Sequence, residues 1–88
     1  MEFEKHCKEC EEKLGKRFEK VHTFLDQFAK EFGWSHRRIF HHEFGVEIIR
    51  YFMGEAASAA ARLHIKADCN GRIPKVEDWL DADFWLNI

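Results

Sequence analysis

Eighty-eight residues and a mass of 10.5 kDa set the scale of a single domain, residues 1–88, built on one hydrophobic core. Hydrophobic residues make up 45% of the chain and charged residues 34%, with 14 basic against 16 acidic groups for a net charge of −2. That balance disfavours disorder, and it lacks the basic excess with which a duplex-DNA binder neutralises phosphates. No apolar run approaches the roughly 18 residues of a membrane helix, and the opening residues carry no secretory apolar region. A cytoplasmic location without membrane contact is expected.

The first third is helical in pattern. Phe3, Cys7, Cys10, Leu14, Phe18, Val21, Leu25, Phe28 and Phe32 follow one another at steps of three and four, the spacing of one helix face. Gly15 is a natural stop, so the spacing predicts a first helix over about residues 2–14 and a second over about 17–31. Cys7 and Cys10 form a C-x-x-C, but Cys69, His64 and His6 stand at irregular spacings from it, which argues against a structural zinc site. On an apolar helix face the two thiols act as small hydrophobes.

Gly33 closes this segment and Ser35 is a candidate N-cap. From there Ile39, His42, Val46, Ile49, Phe52 or Met53, Ala56, Ala60 and Leu63 keep the three-four rhythm, predicting a long third helix to about residue 65 that Gly54 lets bend. Its second half, Gly54 to Ala61, is rich in small residues, which suits either core packing or self-association into a homo-oligomer. Asn70-Gly71 reads as a turn, and Pro74 as the first residue of a short C-terminal helix. The tail Trp79 to Leu86 brings two indoles and a phenyl, either as a lid on the core or as an interface. The expected fold is all-α, a compact bundle of three main helices plus a short C-terminal one.

Six histidines concentrate around the junction of the second and third helices. His22 and Asp26 stand one helical turn apart, and His36, Arg37, Arg38, His41 and His42 fall within seven residues. Two chemistries suit such a collection. An anionic ligand wants guanidinium forks and imidazole donors at a positive helix end, which His22, His36, Arg37, Arg38 and His41 would supply. A divalent transition metal such as zinc wants neutral imidazoles and a carboxylate, which His22, Asp26, His36 and His42 would supply, with His41 an alternative to His42. His42, on the apolar seam, also fits a hydrogen-bonded core role. There is no nucleophile elbow, P-loop, HExxH or glycine-rich phosphate loop.

The stretch His36-Arg37-x-x-x-His41-His42-x-x-Gly45 resembles an uncharacterised family of bacterial and phage domains, domain of unknown function family 6915. Val21-His22-x-Phe24-Leu25-Asp26 precedes it, and Arg72-Ile73-Pro74-x-x-x-Asp78-Trp79-Leu80 follows it. The similarity spans roughly His6 to Leu80. It implies that His6, His22, Asp26, His36, Arg37, His41, His42 and His64 occupy positions the family fills with like residues, although a shorter connection before Ile73-Pro74 weakens the correspondence of His64. It also implies a bacterial or phage setting, and for a phage protein the host cytoplasm.

Three functions follow as expectations. The first is a cofactor-free binding module, not an enzyme, that sequesters a small anionic, nucleotide-like ligand through the His/Arg cluster, with Trp34 or Phe40 available to stack on a base. The second is a metal-dependent phosphohydrolase built on the His/Asp cluster. The third is an inhibitor of a host protein acting through the Trp79–Trp85 surface or the acidic C-terminal region, where residues 67–88 hold two basic and five acidic groups.

Overall fold

In a computed structural model that describes residues 2–86, apart from the side chain of Trp85, the chain is all-α, and no strand occurs among the described residues. Helix α1 runs Phe3–Leu14 and stops where Gly15, at φ 85°, turns into the left-handed region. Cys7 and Cys10 lie on its buried face, as the spacing predicts. Burial pushes both thiols up, Cys10 to about 11, so they stay protonated and pack as hydrophobes.

The expected second helix is two. Helix α2 spans Glu19–Leu25 and α3 spans Ala29–Phe32. Asp26 leaves helical geometry between them, and its carbonyl accepts from the Ala29 amide at 2.9 Å. Its side chain is thereby released from the α2 face and turned inward.

The expected third helix is broken more severely. A 3₁₀ turn over Gly33–His36 leads into α4, Arg37–Phe40; then come α5, Glu43–Met53, and α6, Glu55–Asp68. Ser35 is no N-cap: its hydroxyl donates to the Phe32 carbonyl at 2.6 Å. His42 caps α5 instead, its Nδ1 accepting from the Gly45 amide at 3.1 Å. Non-local bonds fix the break at His41-His42. The Glu43 amide donates to the Pro74 carbonyl at 2.8 Å, and the Trp79 indole donates to the His41 carbonyl at 2.7 Å. Gly54, at φ 96° and ψ 174°, separates α5 from α6 completely. Pro74 precedes a 3₁₀ turn, Val76–Leu80, rather than opening a helix, and the last element is α7, Ala82–Trp85.

Helix α6 is the central element, with α1, α2 and α5 packed on it. Its small residues Ala57, Ala60 and Ala61 are buried in a core with Cys10, Val21, Leu25, Val46, Ile49, Ile65, Cys69 and Trp79, so they serve core packing. No helix of the described residues is long and apolar enough to cross a membrane.

Candidate metal centre

All six histidines are buried, together with Asp68, in a protein whose surface has ample room for polar groups. Five of the six converge. His6 comes from α1, His22 from α2, His36 from the 3₁₀ turn, His41 from the end of α4 and His64 from α6. Asp26, at the end of α2, and Asp68, one turn after His64 on α6, face them.

Two carboxylates organise the cluster. Asp26 Oδ1 lies 2.8 Å from His36 Nε2, 3.2 Å from His64 Nε2 and 3.6 Å from His41 Nε2. Asp68 Oδ2 lies 3.0 Å from His41 Nε2 and 3.4 Å from His64 Nε2, while Asp68 Oδ1 lies 3.4 Å from His6 Nε2. Donor atoms of Asp26, His41, His64 and Asp68 all fall within 4.8 Å of one another, and so do those of His6, His22 and His64. The His6 ring stacks on His64 at 3.6 Å between centroids, and neither His6 nitrogen has a hydrogen-bond partner among the described residues.

Backbone carbonyls settle which nitrogens hold protons. A carbonyl only accepts, so His22 must donate from Nε2 to the Arg17 carbonyl at 2.9 Å, leaving Nδ1 bare in the neutral ring. That bare nitrogen sits 2.8 Å from His64 Nδ1, which must then donate, leaving His64 Nε2 aimed at both carboxylates. His36 follows the same logic: Nδ1 donates to the Gly33 carbonyl at 2.7 Å, and Nε2 faces Asp26. Two lone pairs thus point at carboxylate oxygens. Such an arrangement is repulsive unless a cation lies between them, either a second proton on each ring or a metal ion.

The titration behaviour matches. Burial lowers His36 and His64, but the hydrogen bonds they donate to Asp26, and for His64 also to Asp68, outweigh it and raise both above the ordinary histidine value. Burial would raise the two carboxyls, yet the surrounding imidazoles hold both well below the usual carboxylate range. In His22 and His41 burial prevails and drives the rings down to about 4, so both are neutral at pH 7.

His42 lies apart from this centre. It spans its own turn, Nε2 donating to the Ile39 carbonyl at 2.8 Å and Nδ1 accepting from Gly45, so no lone pair is left for a ligand. Arg37 donates to the Asp68 carbonyl at 3.1 Å and stands 3.8 Å from Asp68 Oδ1. Arg38 is exposed. Of the aromatic residues named for base stacking, Trp34 is half exposed, whereas Phe40 packs on Phe24 at 4.6 Å. Trp79 is a core residue, the Trp85 side chain lies outside the described residues, and Phe84 packs edge-on against Trp79 at 5.3 Å.

Sequence reasoning passed over Asp68 although its i, i+4 relation to His64 repeats that of His22 and Asp26. Apart from being weighed as partners of the Cys7-Cys10 pair, His6 and His64 were tied to the histidine cluster only through the family resemblance. In comparison with known families, the model of the domain of unknown function DUF6915 matches residues 1–85. The chain belongs to this family. No curated protein and no solved structure matches it. The His/Asp cluster and the Pro74–Trp79 clamp that holds it thus both lie within the matched region of DUF6915.

Proposed function

We propose that the protein is a metal-dependent phosphohydrolase whose divalent transition metal is held by Asp26, His41, His64 and Asp68. One observation carries this reading: the tautomers fixed by the Arg17 and Gly33 carbonyls aim His64 Nε2 and His36 Nε2 at the buried carboxylate of Asp68 and the partly exposed one of Asp26. Metal-binding histidines ordinarily donate their second nitrogen to a carbonyl or another acceptor; of the two proposed histidine ligands His64 does so, to His22, whereas His41 Nδ1 has no partner among the described residues. Two carboxylates balance the charge of a divalent ion, and mixed nitrogen and oxygen donors suit zinc, manganese or iron.

Asp26, His41, His64 and Asp68 would fill a tetrahedral zinc site but would leave positions open on a six-coordinate ion such as manganese or iron, where a bound water would lose its proton more readily than bulk water. Asp26 is the cluster's outlet: its carboxylate is 23% exposed, whereas that of Asp68 is 2% exposed. His36, bonded to Asp26, is placed to hold or return a proton at that carboxylate. In the hydrolysis the water oxygen bonds to phosphorus, the ester P–O bond breaks, and the leaving oxygen takes up a proton.

Capture of an anionic ligand without turnover is the second reading. His36 favours it, because it bonds to Asp26 at the outlet and holds its proton more tightly than a free histidine, and Arg37 adds a guanidinium 3.8 Å from Asp68 Oδ1. Of its other proposed participants Arg38 is exposed, whereas His22 and His41 are buried and neutral. Incubation of the manganese-, zinc- or iron-loaded protein with p-nitrophenyl phosphate and nucleoside mono-, di- and cyclic phosphates separates the two. The hydrolase reading expects phosphate release that chelation and Asp68→Asn abolish. Nucleotide retained unchanged supports capture and contradicts turnover.

A further inference from the structure

Helix α5 is apolar on two sides. Gly45, Val46 and Ile49 face the core, yet Phe44, Tyr51 and Phe52 on the opposite side are 61%, 84% and 75% exposed. With the half-buried Ile48 they form a stripe at i, i+4, i+7 and i+8, and together with Glu47 they line a shallow groove. The rings alone present on the order of 400 Å² of apolar surface, near the largest patch a monomer of ordinary solubility shows.

We propose that this face of α5 is a homodimer interface in which α5 pairs antiparallel with α5 of a second copy. Charge placement selects this occupant. Glu47 and Arg50 bond to each other on one flank of the stripe, and Arg50 also reaches Glu55 at 3.3 Å. In an antiparallel pair like flanks meet. A two-fold axis between Ile48 and Ile49 therefore sets Glu47 against Arg50 of the second copy at both ends, and Phe44 against its Phe52-Met53. The stripe thus complements itself in charge and in ring placement, as an isologous contact requires. Two copies of the ring surface alone contribute roughly 800 Å², and flanking residues bring this to the small end of stable interfaces, the size range of weak, reversible association. The stripe is separate from the histidine cluster, so association and metal binding are read independently.

Sedimentation velocity on the full chain across micromolar concentrations tests this. The expected result is a monomer–dimer equilibrium that Phe52→Glu and Tyr51→Lys each shift to monomer with unchanged helicity, since both side chains are exposed in the monomer. Glu47→Arg is expected to weaken the dimer at least several-fold, and Glu47→Arg combined with Arg50→Glu to restore it. A monomer at every concentration overturns the proposal, and so does a dimer insensitive to these substitutions.

Discussion

The Trp79 indole N–H donates to the His41 carbonyl at 2.7 Å, across 38 residues of sequence. This bond ties a core aromatic to the point where the chain leaves α4 and His41 turns toward Asp68. Because the His41 carbonyl points at Trp79, it is lost to a continuous helix, and because the Glu43 amide points at Pro74, the next turn restarts. The Ile73-Pro74 to Trp79 segment therefore acts on the site through the backbone that carries His41.

Trp79→Phe keeps most of the buried ring and removes that donor. It is expected to lower stability by about 1–3 kcal/mol, because the His41 carbonyl is left buried without a partner, and to weaken metal binding about tenfold through misplacement of His41. Thermal unfolding and a metal titration of the same variant check both effects. Unchanged affinity would show that His41 is held by other contacts.

Gly45 is required by space. A Cβ there would stand 1.9 Å from the Phe40 carbonyl oxygen, a backbone atom that cannot step aside without moving α4. Gly45→Ala is expected to cost at least about 2 kcal/mol and to open the His41-His42 turn. A melting temperature within a degree of wild type would contradict this packing.

His42 and His64 are expected to separate structure from ligation. His42→Ala removes an N-cap and should cost about 1 kcal/mol while leaving metal stoichiometry intact. His64→Ala should abolish stoichiometric metal binding. Metal analysis of the two purified variants decides it, and equal metal loss in both would place His42 in the centre.

Stability of the metal-free protein should depend on pH from both sides. His22 and His41 are neutral when folded, with values of about 4, so their contribution is complete above the unfolded value near 6.5 and is lost as pH falls toward 4. The lowered Asp26 and Asp68 extend that loss at lower pH. His36 and His64 are raised, so their contribution is complete below about 6.5 and is lost as pH climbs through their folded values. Melting temperatures of chelator-treated protein should therefore peak near neutral pH, and saturating metal should reduce the alkaline decline by taking the place of the His64 proton, leaving the share of His36, which lies outside the proposed ligand set. An alkaline decline undiminished by saturating metal would contradict it.

The helices were legible in the sequence because one face repeats every three to four residues from Phe3 to Phe32 and again from Ile39 to Leu63. The breaks within them were not, since the bonds that hold the His41-His42 turn come from Pro74 and Trp79, beyond any local pattern. The histidine cluster was legible as a concentration at one junction. Its membership was not: His6 and His64 are distant in sequence and enter only because α1 and α6 pack together. His42 satisfies the same ligand spacing as His41, yet both its nitrogens serve its own turn. Sequence spacing sees which residues share a helix face, whereas tautomers are set by carbonyls that only the fold brings near.

The most direct measurement is native mass spectrometry of the purified full chain, coupled to elemental analysis, before and after chelation and on reloading in weakly buffered solution. The account predicts stoichiometric divalent transition metal, lost with chelator, regained on reloading with release of protons, and absent from Asp68→Asn. A folded wild-type protein that takes up none of zinc, manganese or iron near neutral pH would contradict it, and the imidazoles facing Asp26 and Asp68 would then be paired by protons alone.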